Sequence, residues 1–322
     1  MSRYTQLTQE QRYQIYAFLK VRFSQTEISI EIGVHKSTIS RELKRNRGKR
    51  GYRPKQAHIM AVDRRRHAQK YVKLTPPTIA LIDCLIQQDF SPEQVSGSLK
   101  RNHDIRISHE TIYQHVLADK ARGGTLYRHL RRSNKKRKKR YGSHDRRGQI
   151  RGRVSIDERP AIVDAKQRIG DWEIDTLIGK NHKSVLLTVV ERKSKFTLIK
   201  KLPSKKADMV ANATVNLLRP YQKNVFTITS DNGKEFANHD QIAKKLKSGF
   251  YFAHPYHAWE RGLNENTNGL IRQYFPKRTS FDKISDDQIQ MVINRLNNRP
   301  RKTLGFATPN EIFFNLNYKK AA

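Results

Sequence analysis

From Arg131 to Arg153 the chain carries Arg131-Arg132-Ser133-Asn134-Lys135-Lys136-Arg137-Lys138-Lys139-Arg140 and then glycine, serine and further arginine. A run with no apolar period and so much like charge cannot bury a core. It therefore reads as a linker, bound to phosphate or simply solvated. The sequence on its two sides differs in character. Helical periods with capping signals precede it, and short β-branched runs alternating with helices follow from Arg159.

In the amino-terminal part, Thr8-Gln9-Glu10-Gln11 has the form of a helix capping box, with Tyr13, Tyr16 and Leu19 at helical spacing as far as Val21. Ser24-Gln25-Thr26-Glu27 is a second box, opening a short helix with Ile28 and Ile32 inward. Gly33-Val34-His35 makes a tight turn, and Lys36 to Arg45 forms a third helix with Ile39 and Leu43 packed back. Two short helices joined by a glycine-containing turn form a helix-turn-helix pattern, which sets Lys36, Ser37, Thr38, Ser40 and Arg41 toward a DNA major groove.

Arg45 to Lys73 is basic, either a helix or linker riding on phosphate or a solvated charged helix. The first pattern then recurs. Thr78 to Gln88 is apolar-periodic, Ser91-Pro92-Glu93-Gln94 caps a helix, and Ser108-His109-Glu110-Thr111 opens another bearing Ile112, Tyr113 and Val116. Candidate readers in this second helix-turn-helix are Ser108, His109, Glu110, Thr111 and Gln114.

Charge points to the partner. Lysine and arginine number 65 against 29 acidic residues, a net charge of +36. Such an excess opposes a compact fold until a polyanion neutralises it, and nucleic acid is the natural one. No long basic amphipathic helix marks a membrane surface, no apolar run has spanning length, and Met1 to Lys20 is too polar for a signal peptide. Cys84 is the single cysteine, so no disulfide framework or cysteine-based zinc site is expected, and the chain reads as soluble and intracellular.

Beyond Arg159, the segments Trp172–Ile178, Ser184–Glu191 and Lys195–Leu202 read as strands, Lys206–Leu218 as a helix, and Phe226–Ser230 as a fourth strand. A helix from Asp240, a short strand at Gly249–Phe252 and a last helix through Arg261–Arg272 suggest a mixed sheet of five strands with helices packed on it. Asp175 lies on the strand face opposite Trp172, Ile174 and Thr176. Asp231 follows a strand end and precedes Asn-Gly, a turn that exposes its carboxylate. The last helix aligns Arg261, Glu265, Asn268 and Arg272 on one side. Three carboxylates on three elements suit Mg²⁺ or Mn²⁺, and two such ions about 4 Å apart clamp the attacking and leaving oxygens of a phosphodiester displacement.

These residues resemble a known family. Asp231 to Glu265, with thirty-three residues between, is similar to the D,D(33–35)E pattern of transposases and retroviral-type integrases on the RNase H-like fold. The chain more closely resembles bacterial insertion-sequence transposases of the IS-thirty type. The marks are Gly170-Asp171-Trp172-Glu173-Ile174-Asp175, Ser230-Asp231-Asn232-Gly233-Lys234-Glu235-Phe236 and His254-Pro255-Tyr256-His257-Ala258-Trp259-Glu260-Arg261-Gly262. They continue in Asn264-Glu265-Asn266, Arg272-Gln273-Tyr274-Phe275-Pro276-Lys277 and Asn298-Arg299-Pro300 through Thr308-Pro309. The family usually has His where Asp171 stands, Gly where Ile174 stands and Gly at Arg278. Asp171 and Glu173 thus compete with Asp175 for the first ligand position, and the motif favours Asp175.

The resemblance implies a DNA transposase that binds the terminal inverted repeats of its element, cuts by metal-assisted hydrolysis and joins the 3′-hydroxyl to target DNA. Asp175, Asp231 and Glu265 would hold two Mg²⁺ or Mn²⁺ ions, while Arg261, Asn264, Asn268, Arg272 and Lys277 would position DNA. At least two copies would meet in the synaptic complex, and a bacterial cytoplasmic, nucleoid-associated location follows. The implied organisation is multidomain. Residues 1–50 form a helix-turn-helix domain, 51–73 a basic linker, 74–130 a second helix-turn-helix-like domain, 131–158 a basic linker and 159–322 an α/β RNase H-like catalytic domain. The alternatives are a non-catalytic DNA-binding regulator on the same body and a metal-dependent nuclease without strand transfer.

Overall fold

Each capping box read from the sequence closes a helix in the computed structural model, which describes residues 6–68, 74–131, 150, 152–180, 184–255 and 257–316. The chain divides into two compact units, Met1–Lys73 and Leu74–Ala322. Most of the basic run expected as a linker, 132–149 and 151, lies outside the described residues.

In the first unit, Thr8 caps α1 (Gln9–Lys20) and Ser24 caps α2 (Gln25–Ile32), each with the reciprocal bonds of a box. Gly33 ends α2 at φ 72°, a left-handed turn that glycine takes without strain, and α3 (Lys36–Asn46) follows. Ile15, Ile28 and Ile39, one from each helix, are fully buried. A buried ion pair joins α1 to α3: Arg12 Nε lies 2.8 Å from Glu42, and Arg12 also donates to the Leu7 carbonyl. The basic stretch after α3 contains a short ribbon, β1 (Arg47–Gly48) with β2 (Gly51–Tyr52), and a helix, α4 (Pro54–His67). That helix packs into the unit through buried Ala57 and through Arg64, which donates to Arg45 O and Asn46 Oδ1. Part of its charge is therefore spent on the protein itself.

The second unit begins with α5 (Pro76–Gln87), α6 (Pro92–His103) and α7 (His109–Ala121), closed around Ile82, Ile86, Val95, Leu99, Ile112 and Val116. After α8 (Ile162–Ala165) come β3 (Asp171–Ile178), β4 (Val185–Glu191), β5 (Thr197–Leu202), α9 (Ala207–Leu218), β6 (Thr227–Ser230), α10 (His239–Leu246) and β7 (Gly249–Phe252). Then follow α11 (Gly262–Tyr274), α12 (Asp286–Asn297) and α13 (Pro309–Phe313).

The sheet order is β5-β4-β3-β6-β7, antiparallel through β3, β4 and β5 and parallel through β3, β6 and β7. This is the mixed five-stranded sheet expected for the RNase H-like fold. Helices α9 and α10 cover one face over Trp172, Ile174, Val189 and Ile228, while α11 and α12 cover the other over Leu177, Leu186 and Ile199. Burial on both faces explains why β4 reads Val-Leu-Leu-Thr-Val-Val-Glu with no polar alternation, and every residue of it is buried.

Helices α5–α7 belong to the same compact unit as the sheet. Asp89, buried at φ 66°, joins them to α11 and α12. Its carboxylate meets His129, the Tyr274 hydroxyl and Arg295, and its carbonyl accepts from Arg299. Gly97 on α6 packs so closely on Phe306 that a Cβ there would lie 2.2 Å from the ring.

Candidate active site

The parallel register brings the two aspartates together. Asp171 pairs with Thr227 and Glu173 with Thr229, so the same offset sets Asp175 level with Asp231 at the carboxyl end of the neighbouring strand. Ligands bind at this edge in open α/β sheets. Asp175 Oδ1 accepts from the Thr176 amide at 2.8 Å and Oδ2 from Asn268 Nδ2 at 2.8 Å. Asp231 Oδ1 accepts from the Gly233 amide at 2.9 Å, the turn that the Asp-Asn-Gly sequence sets up.

One cation serves both carboxylates. Arg261, immediately before α11, places Nη1 3.8 Å from Asp175 and Nη2 3.4 Å from Asp231. These contacts are longer than the 2.7–2.9 Å of a tight charge-assisted bond. Nη1 is buried with no hydrogen-bond partner among the described residues. Burial pushes the Asp175 carboxyl up to about 6; Arg261 opposes the shift and the charge of Asp231 adds to it. Hard oxygen donors with only a loosely held guanidinium between them fit a centre that accepts divalent cations.

The competing acidic residues of β3 are spoken for. Asp171 takes a two-pronged pair from Arg168 at 3.0 and 2.9 Å and the Thr227 hydroxyl at 2.7 Å. Glu173 takes Arg192 at 2.7 Å and the Asn264 amide at 3.1 Å, while burial pushes its carboxyl up against that pairing.

Glu265 is exposed in the first turn of α11, four residues after Arg261 and three before Asn268, both of which reach the aspartates. Among the described residues, the three His, Cys, Asp or Glu side chains whose ligand atoms all lie within 4.8 Å of one another are His254, His257 and Glu260. Asp175, Asp231 and Glu265 are not so closed. The histidine cluster is already paired, because His254 sets Nδ1 2.8 Å from Glu260 and Nε2 2.9 Å from Asp157.

Of the residues expected to meet DNA, Lys36, Ser40 and Arg41 are exposed on α3, and Ser37 and Thr38 are half-buried. Arg41 folds back onto Ser37, donating to its carbonyl at 2.9 Å and to its hydroxyl at 2.8 Å. Ser108 and His109 are exposed, and Ser108 caps α7 by accepting from the amide of half-buried Thr111. Lys277 is exposed.

The remaining expectations need correction. Asn264 is 1% exposed, with neither side-chain polar atom paired among the described residues, so it is buried rather than presented to DNA. Asn268 is spent on Asp175, and Arg272 donates to the Ile178 carbonyl at 3.0 Å. Helical spacing puts Asn268 and Arg272 near the site but does not tell a surface contact from a tertiary one.

Sequence reading also passed over Arg153, at the end of the basic run, which donates to Asn232 beside Asp231 at 2.7 Å. Glu235, inside the Asp-Asn-Gly-Lys-Glu motif, accepts from the Thr176 hydroxyl beside Asp175 at 2.9 Å, a contact the sequence reading did not expect. Its position four residues after Asp231 was the available signal.

Two family models match: a helix-turn-helix domain over residues 3–46 and an integrase core domain over 165–258. The transposase for insertion sequence element IS4351 of Bacteroides fragilis is 48% identical over 309 residues, 95% of each chain. The transposase InsI for element IS30A of Escherichia coli K12 is 36% identical, over 95% of this chain and 82% of that one. The transposase for element IS1086 of Cupriavidus metallidurans is 34% identical, over 97% and 95%. Among solved structures, the catalytic core domain of BIV integrase aligns with a TM-score of 0.36 at 23% identity, over 45% of this chain and 93% of that one.

Proposed function

The chain belongs to the insertion-sequence transposases that include the IS4351 and IS30 enzymes, and from this we propose that Asp175, Asp231 and Glu265 form the centre of a DNA cleavage and strand-transfer reaction. The observation that carries the reading is the meeting of Asp175, within β3, and Asp231, just past the end of β6, with one loosely held arginine for two carboxylates. An integrase core makes the chain a polynucleotidyl transferase, and such cores generally use divalent metal ions.

Asp175, Asp231 and Glu265 would hold them, as two Mg²⁺ or Mn²⁺ ions. When bound, the ions supply Lewis acidity that activates water or a 3′-hydroxyl and stabilises charge on the leaving oxygen. The protein's own groups prepare the ligands. The Thr176 amide and Asn268 hold both oxygens of Asp175, and the Gly233 amide holds one of Asp231. Arg261 offsets part of the pair's charge until a stronger cation arrives. The net charge of +36 and the helix-turn-helix supply the attraction for DNA, as element ends and as target. Two ends must meet, which calls for at least two copies. Among the described residues no helix is long and apolar enough to cross a membrane.

The deciding assay compares Glu265→Gln with the parent on DNA bearing the element ends, with Mg²⁺. The variant should give neither cleaved nor joined product; parental levels of both would remove Glu265 from the chemistry. Supplying pre-cut 3′-hydroxyl ends to the parent should yield joined product, and its absence would mark a nuclease without strand transfer. At the amino-terminal module, Arg41→Ala should weaken end binding by about 1–3 kcal/mol if Arg41 reads a base edge. Equal loss on scrambled DNA marks a phosphate contact instead.

A further inference from the structure

A second connection joins the two aspartates without passing through Arg261. Thr176 donates through its amide to Asp175 and through its hydroxyl to Glu235 Oε1 at 2.9 Å. Glu235 lies half-buried in the turn that follows Asp231, and Thr176 is its hydrogen-bond partner among the described residues. Gly233 stands between the two carboxylates of that turn. A Cβ there would lie 2.8 Å from Glu235 Oε2 and 2.9 Å from Asp231 Oδ1. The two oxygens are thus no farther apart than those distances laid end to end. The backbone at Gly233 has φ −69°, open to any residue, so what excludes a side chain is the space the two acids share.

Two braces therefore span the pair. Arg261 is ionic, long and replaceable by a stronger cation. The chain from Asp175 through Thr176 to Glu235 and across Gly233 to Asp231 is made of short bonds to backbone and hydroxyl groups, and a cation arriving at the site need not break it. We propose that Glu235 is a positioning residue: by holding Thr176 it fixes the turn bearing Asp231 against the strand bearing Asp175. It thereby sets the spacing at which the two aspartates grip a divalent cation. Partners that orient metal ligands in this way commonly change affinity as much as activity. The inference rests on Asp175 and Asp231 being the cation ligands.

Calorimetric titration of Mn²⁺ into the full chain tests it without DNA. Thr176→Val and Glu235→Ala cut the brace from opposite ends, and each should weaken Mn²⁺ binding by about tenfold or more. The metal-free melting temperature should stay near that of the parent. Glu235→Gln keeps an acceptor for the Thr176 hydroxyl and should restore binding to within about threefold of the parent, well inside the cost of losing such a partner.

Asp231→Asn separates the two levels of the argument. If it leaves Mn²⁺ binding intact, the ligand assignment itself is wrong. If it abolishes binding while Thr176→Val and Glu235→Ala bind as the parent does, the positioning role alone falls. A loss in Glu235→Gln equal to that in Glu235→Ala would also overturn positioning, since the charge rather than the bond would then be what matters.

Discussion

Strand β3 carries three acidic residues on one face, and its two ends treat them differently. At the amino end Asp171 and Glu173 are buried, and each has an arginine in close contact at 2.7–3.0 Å, with a further donor filling out its shell. At the carboxyl end Asp175 and its neighbour Asp231 share Arg261 at 3.4 and 3.8 Å. Water can reach this end, where the Asp175 and Asp231 side chains are 22% and 30% exposed. Charge compensated in full inside the protein is architecture, because nothing more can be gained there by binding a cation. Charge left short of a partner at a strand end is a demand for one. The contrast separates carboxylates that sequence spacing alone leaves in competition.

The largest effect belongs to the carboxyl end. Asp231→Asn should lower end cleavage and joining by about a thousandfold or more, the loss of several kcal/mol of transition-state stabilisation. Chemical denaturation should show little change in stability. At the amino end the signs reverse. Glu173→Gln strips one partner from a buried ion pair and should cost about 3–5 kcal/mol of stability in the same denaturation experiment. Activity per folded molecule should stay within about tenfold, less than a lost catalytic group costs. A Glu173→Gln protein of parental stability but no activity would erase the distinction between the two ends.

Smaller in size is the pH dependence of the metal-free protein. Burial raises the Asp175 carboxyl from 3.8 to about 6, so between those values the folded state holds a proton that the unfolded chain has released. Folding stability should therefore fall as pH rises through that window, by on the order of 1–3 kcal/mol, with the cost fully present above about pH 6. Asp175→Asn should flatten the slope, and an unchanged slope would assign the proton to another group.

The loop before α11 resembles the paired end. Glu260 first, and then Asp157, hold the His254 imidazole above its ordinary 6.5. That pairing stabilises the loop below 6.5 and is lost as pH rises through the raised value. In an NMR titration of His254, Glu260→Gln should lower the midpoint more than Asp157→Asn; the opposite order would misassign the dominant partner.

What the sequence made legible was local. The reciprocal caps at Thr8, Ser24 and Ser91 follow from residues three apart, and the five strands follow from β-branched runs between turn signals. The positions of Asp175 within its strand and of Asp231 just past a strand end came from the same rules. The box Ser285-Asp286-Asp287-Gln288, which opens α12, was readable by them too and was passed over. The rest depends on contacts between distant residues. Asp89 is an ordinary turn residue in sequence, yet it meets Arg295 and Arg299 more than two hundred positions later. Arg261 and Asn268 share a helical face with Glu265, and that spacing cannot say that both turn inward to Asp175. Asn264 shows a related limit, being buried where the family resemblance implied a contact with DNA.

The two ends of β3 meet in one experiment: strand transfer from pre-cut element ends by Asp171→Asn and Asp175→Asn, compared at equal concentrations of folded protein in Mg²⁺. Asp171→Asn should join ends within about tenfold of the parent, since its loss falls on folding rather than on chemistry. Asp175→Asn should give no joined product. Joining by Asp175→Asn at the parental rate, or its abolition in folded Asp171→Asn alone, would contradict the assignment of the reaction to the charge-short end of the strand.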